Sequence, residues 1–117
     1  MESAKHAPRS TSNGVSLRFF VHENRKCHGL LAYEWLLEAA KKLGIPGGTV
    51  YRSIAGYGRH GVLHEQHFFE LAGDLPVQVV FVLGNADAQR LLDFVANEKT
   101  SLFYTRCPVE FGVIGGG

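Results

Sequence analysis

Apolar and polar positions alternate along Ser16–His22: Leu17, Phe19 and Val21 fall on one side, Arg18, Phe20 and His22 on the other. A period of two predicts a strand, and the mixed second set means that its other face is not simply turned to solvent. A polar connection, His22–His28, follows. From about Gly29 to Leu43 the period changes. Leu30, Tyr33, Leu36, Leu37, Ala40 and Leu43 recur at helical spacing, with Glu34 and Glu38 on the opposite side. Glu38 can pair with Lys42 at i+4. Gly44 and Pro46 end this helix. Trp35 is expected as a partly buried packing residue or part of a subunit contact.

After Gly47-Gly48, a second strand is predicted over about Thr49–Tyr57. Val77–Leu83 is apolar on both faces apart from Gln78, as a central strand is. Asn85 is placed as the cap of a second helix, Ala86–Asn97, with Ala88, Leu91, Leu92 and Val95 as its buried stripe. Ser101–Cys107 reads as the last strand, interrupted by Pro108, with Val109–Val113 continuing along an edge. Residues 1–15 hold little that is apolar and are expected as a disordered tail, leaving a domain over 16–113 and a flexible end over 114–117.

The order is strand, helix, strand, strand, helix, strand. This is the split βαβ arrangement of an α+β, ferredoxin-like βαββαβ sandwich. Two helices cover one face of a four-stranded sheet. Phe20, Val80 and Val82 then need cover that one chain does not supply, so a homo-oligomer packed through the open sheet face is expected.

Composition narrows the partners. In 117 residues with a formal charge of +1 there is one domain and no general attraction to nucleic acid or an anionic membrane surface. No apolar run approaches the ~20 residues that span a bilayer, and residues 1–15 lack the apolar core of a signal peptide. Cytoplasmic localisation without membrane insertion is the expectation. Cys27 and Cys107 make no CxxC pair and are expected reduced. Cys27 lies beside Arg25, Lys26 and His28, a setting that could lower a thiol's pKa and make it reactive. His22, Cys27 and His28 form a loose cluster that could join a metal site with another subunit.

The chemistry concentrates between Arg52 and Pro76. Arg52 and Arg59 offer guanidinium forks, and the main chain at Gly56, Gly58 and Gly61 can approach an anion closely. The same residues also suit a tight loop with solvated or salt-bridged arginines. His60, His64 and His67 stand at i, i+4 and i+3 spacings and could hold a metal with Glu65 or Glu70, although Gly61 opposes a stable helix there. They equally suit a solvated loop or a pH-responsive one. No G-x-S-x-G, HExxH or nucleophile with a defined base is present, so an enzyme is not expected.

His28-Gly29, Gly48-Thr49-Val50, Arg52 to Gly58, His64 and Asp74-Leu75-Pro76-Val77 together resemble the P-II-like family catalogued as domain of unknown function 190. The likeness covers roughly Leu17–Phe111. It implies a homotrimer of ferredoxin-like subunits whose sheets face one another. It also implies a small anionic ligand, such as an adenine nucleotide, bound in clefts between subunits near the base of the loop after the second strand. The ligand residues so implied are Arg52, Gly56, Tyr57, Gly58, Arg59, His64 and Asp74. The loop would then act on a partner, such as a membrane transporter or an enzyme. Two features depart from P-II proteins proper. Leu83-Gly84-Asn85-Ala86 is too short for their Gly-rich phosphate loop, and Tyr57 sits at the loop base rather than its tip.

Overall fold

The computed structural model describes residues 8–56 and 75–116. A four-stranded antiparallel sheet carries two helices on one face. Its strands are β1 (Arg9–His22), β4 (Thr49–Arg52), β5 (Pro76–Leu83) and β6 (Phe103–Ile114), in the spatial order β4-β5-β1-β6. The helices are α1 (Ala32–Lys42) and α2 (Asn85–Asn97). Two short strands, β2 (Lys26–Cys27) and β3 (Leu30–Leu31), form a separate hairpin between β1 and α1. The ferredoxin-like α+β arrangement expected from the element order is the one observed.

The core lies between the sheet and the helices. Leu17, Phe19 and Val21 of β1 and Val77, Val79, Phe81 and Leu83 of β5 face Ala32, Leu36, Ala39 and Ala40 of α1 and Ala88, Leu91 and Val95 of α2. Phe19 and Phe81 meet edge to face at 6.3 Å. Among the described residues no polar or charged residue is buried. The α2 stripe is the one its periodicity predicts. In α1, Trp35 is buried more fully than Tyr33, Leu37 and Leu43, which pack at the margin.

Several boundaries differ from the sequence pattern for identifiable reasons. β1 starts at Arg9, not Ser16. Arg9–Gly14 pairs residue for residue with Val109–Ile114, forming a two-stranded ribbon beyond the end of β5. The expectation of a disordered 1–15 therefore fails for residues 9–15: a ladder partner holds polar residues that show no pattern of their own. Residues 1–7 lie outside the described ones. At the other end β6 includes Ile114, and the Gly115 N–H donates to Pro8 O at 2.7 Å, so the flexible end does not begin at 114. Pro108 does not interrupt β6, because β6 is an edge strand and the proline nitrogen alternates to the unpaired side.

Helix α1 starts at Ala32 because residues 26–31 are used by the hairpin. Its turn is His28 (φ 51) and Gly29 (φ 83), the two successive positive φ values of a type I′ turn. The cap of α2 is Gly84. Asn85 is the first helical residue, and its Oδ1 accepts a bond from Arg106 at 3.1 Å. β4 ends at Arg52 rather than continuing to Tyr57.

Candidate functional site

Strand alternation divides the sheet residues into two sets. On the face away from the helices, cross-strand register places Tyr51, Gln78, Phe20 and Phe103 in one row and Thr49, Val80, Arg18 and Thr105 in the next. A third row holds Val82, Ser16 and Cys107. Phe20 and Phe103 stack obliquely at 5.5 Å, and Arg18 donates to Gln78 Oε1 at 2.6 Å across a diagonal. Val82, Phe103 and Tyr51 are 48%, 41% and 56% exposed. This face is apolar at its margins and no element of the described chain covers it.

At one rim of the sheet three chain ends converge: the C-terminal ends of β1 and β4 and the N-terminal end of β5. The central position of β5 fixes the meeting. The Glu23 N–H donates to Leu75 O at 2.7 Å from the β1 side, and the Ser53 N–H donates to Pro76 O at 3.0 Å from the β4 side. Across this knot the Arg52 guanidinium is paired with the Glu23 carboxylate. Arg52 remains 65% exposed at its side chain while Glu23 is 22% exposed. The position a Cβ would take at Gly56 lies 3.7 Å from Pro76 Cγ, so the chain leaving β4 stays beside the start of β5. The rim thus presents the outward guanidinium of Arg52 on a backbone tied at both flanks.

Of the ligand residues expected from the sequence, Arg52 and Gly56 fall on this rim. Tyr57, Gly58, Arg59, His64 and Asp74 lie outside the described residues, as do His60, His64 and His67 of the metal alternative. Among the described residues no group of three His, Cys, Asp or Glu side chains is placed to hold a metal ion. No pattern in the sequence singles out Glu23. Its partnership with Arg52 depends on two strands that are separated in the sheet by β5, a relation that no local motif signals.

The second cluster expected around Cys27 has a different character. Cys27 is buried in the core, because the β2–β3 hairpin turns its side chain inward while Lys26 stays exposed. An accessible reactive thiol at this position is therefore corrected. His28 leans on Trp35 with ring centroids 5.3 Å apart, Trp35 stacks on Phe94 at 5.9 Å, and His28 Nε2 lies 3.3 Å from Glu98. Arg25 donates to Ser101 O at 2.6 Å. These contacts clamp the hairpin to the end of α2.

The family model DUF190, described as "Uncharacterized ACR", matches residues 14–111. A UPF0166 protein of Aquifex aeolicus is 35% identical over 86 residues, spanning 74% of this chain and 82% of that protein. Among solved structures, CPII from Thiomonas intermedia K12, a nitrogen regulatory PII-like protein bound to ADP, AMP and bicarbonate, superposes with a TM-score of 0.62. The identity there is 14%, covering 89% of this chain and 98% of the other. A protein described as PII-like from Thermus thermophilus superposes with a TM-score of 0.56 at 17% identity, covering 91% and 94%. At these identities the likeness is one of fold. No helix among the described residues is long and apolar enough to cross a membrane.

Proposed function

The chain belongs to the DUF190 family, and from that premise we propose that it is a PII-like signalling protein that binds an anionic small molecule, such as an adenine nucleotide, at the Arg52 rim. The observation that carries this reading is the exposed Arg52 guanidinium, held at the point where the two ends of segment 53–75 are tied together. A guanidinium offers a planar fork of N–H donors to phosphate or carboxylate, and a cation on a tied backbone needs little reordering to bind. The fold neighbour from Thiomonas intermedia binds ADP, AMP and bicarbonate, which are anions of this kind.

In this reading the subunits assemble as a homotrimer through the bare sheet face, whose exposed apolar side chains gain cover from neighbouring copies. The clefts between subunits hold the ligand, with Arg52 and Arg59 neutralising its charge. Gly56, Tyr57 and Gly58 shape the loop base, and His64 and Asp74 orient the ligand. Occupancy changes the loop, and the loop changes the affinity for a partner protein, a transporter or an enzyme, in the cytoplasm. The protein acts by binding and not by catalysis.

Calorimetric titration with ADP, with and without bicarbonate, tests the reading. Saturable binding is expected in the wild type. In Arg52→Met, which removes a charge-assisted contact, it is expected to weaken by about tenfold or more. Absence of heat and of thermal stabilisation with ADP, AMP and bicarbonate overturns it.

A further inference from the structure

We propose that Glu23 competes with the anionic ligand for the Arg52 guanidinium, so that ligand binding exchanges the Glu23 carboxylate for an anionic group of the ligand as the partner of Arg52. The inference rests on the reading of Arg52 as the ligand's cation.

The geometry gives Glu23 this position. Its backbone is fixed to one side of the start of β5 by the bond to Leu75 O, and the β4 chain is fixed to the other side by the bond from Ser53 N–H to Pro76 O. The two side chains therefore meet across β5 without any flexible segment between them. The contact engages Nη2 of Arg52 with Oε2 of Glu23. Nη2 belongs to both of the guanidinium's bidentate faces, so the carboxylate occupies a donor that a phosphate or a carboxylate ligand also needs. Glu23 is the more enclosed of the pair and Arg52 the more open, so an incoming anion reaches Arg52 from solvent while Glu23 stays behind it.

Two consequences follow. The pair neutralises Arg52 when the site is empty, which lowers its attraction for weak monoanions and favours a ligand of higher charge, such as a diphosphate. The exchange also removes one of three ties at the loop base among the described residues, leaving the two backbone bonds. Ligand occupancy then reads out directly as a change at the anchor of segment 53–75, without a separate relay.

The test is ADP titration of the wild type, Glu23→Gln, Glu23→Ala and Arg52→Met, each checked by circular dichroism and thermal melting. Removing an ion pair exposed to this degree is expected to tighten ADP about fivefold, the factor equivalent to about 1 kcal/mol. Arg52→Met is expected to abolish that gain when combined with Glu23→Gln. A folded Glu23→Gln and a folded Glu23→Ala that both bind ADP no better than the wild type overturn this inference while leaving Arg52 as the ligand's cation. A wild type that takes no ADP overturns both. One readout needs no change at Glu23: its carboxylate 13C resonance is expected to move on ADP addition. A resonance that stays fixed at saturation shows that the pair persists and overturns the exchange.

Discussion

Val82 offers the sharpest test of the bare sheet face. It is 48% exposed and lies opposite Ser16, so a longer side chain at this position meets no obstacle in a single subunit. Val82→Lys is therefore expected to leave the subunit folded, with a stability change within about 1 kcal/mol. In an assembled oligomer the same position is covered. Full burial of a valine is worth about 1.5–3 kcal/mol, so covering the exposed half contributes about 1 kcal/mol. The lysine forfeits that and adds the cost of desolvating its ammonium, reduced by the reach of its flexible stem toward solvent. A combined penalty of about 3 kcal/mol per contact corresponds to roughly a 150-fold loss of association. Sedimentation velocity at micromolar protein is expected to show the wild type as a closed oligomer and Val82→Lys as a monomer. Ala96→Lys, on the exposed side of α2, serves as the control and is expected to sediment as the wild type does. A Val82→Lys protein of unchanged assembled mass, or a monomeric wild type, refutes the reasoning.

Three further outcomes probe the fold and the face together. A Cβ at Gly14 would stand 2.2 Å from Leu83 O and 2.6 Å from Phe111 Cε2, so Gly14→Ala is expected to cost about 1–3 kcal/mol in urea unfolding. An unchanged midpoint would contradict the Val15↔Leu83 register. Leu91 is fully buried between α2 and the sheet, and Leu91→Ala is expected to lose about 2–5 kcal/mol by the same measurement. A smaller loss would mean that the site collapses around the cavity. Cys107 lies exposed on the bare face and Cys27 in the core, so thiol labelling of monomeric Val82→Lys is expected to modify Cys107 rapidly and Cys27 only on unfolding. In the wild type Cys107 is expected to be protected, and rapid labelling of a stable oligomer would place that face outside the interface.

Periodicity made most of the fold legible in the sequence. The alternation of Leu17, Phe19 and Val21 and the spacing of Ala88, Leu91 and Val95 mark surfaces that must be buried, and they identify β1 and α2 without any knowledge of their partners. The ribbon of Arg9–Gly14 and Val109–Ile114 has no such mark. Its polar half becomes a strand through backbone pairing, which side-chain pattern does not report. The hairpin of residues 26–31 is hidden for another reason. A turn with His28 at positive φ is uncommon, and Leu30 reads as readily into a helical stripe as into a two-residue strand. The candidate site was legible to the extent that one residue suffices to mark it. Arg52 stands out by residue type, at the start of the glycine-rich stretch, while its position at a strand end is a property of the structure. Glu23 becomes visible only when the sheet order is known, and apart from Gly56 the remaining expected ligand residues fall within segment 57–74, outside the described residues.

The sheet order also separates two surfaces that share the same strands. Phe20 lies in the first row of the bare face, opposite Gln78 and Phe103. Val21 alternates to the helix side, in register with Val77, which in turn opposes Arg52. The proposed interface and the Arg52–Glu23 pair thus lie toward opposite faces of the sheet within a few residues of one rim. A neighbour packed on the bare face is free to add a wall beside Arg52 without covering it, whereas a neighbour packed on the helices would have no such access to the rows of Phe20 and Val80. The ties at Leu75 and Pro76 then hold segment 53–75 to the two strands that bear the proposed interface. In the proposed assembly a displacement at Glu23 acts on the end of β1, the strand that also carries Phe20 and Arg18 of the proposed interface. Reciprocal coupling between ligand and assembly needs only this shared strand, because a ligand that favours one arrangement of the rim is favoured by it in equal measure.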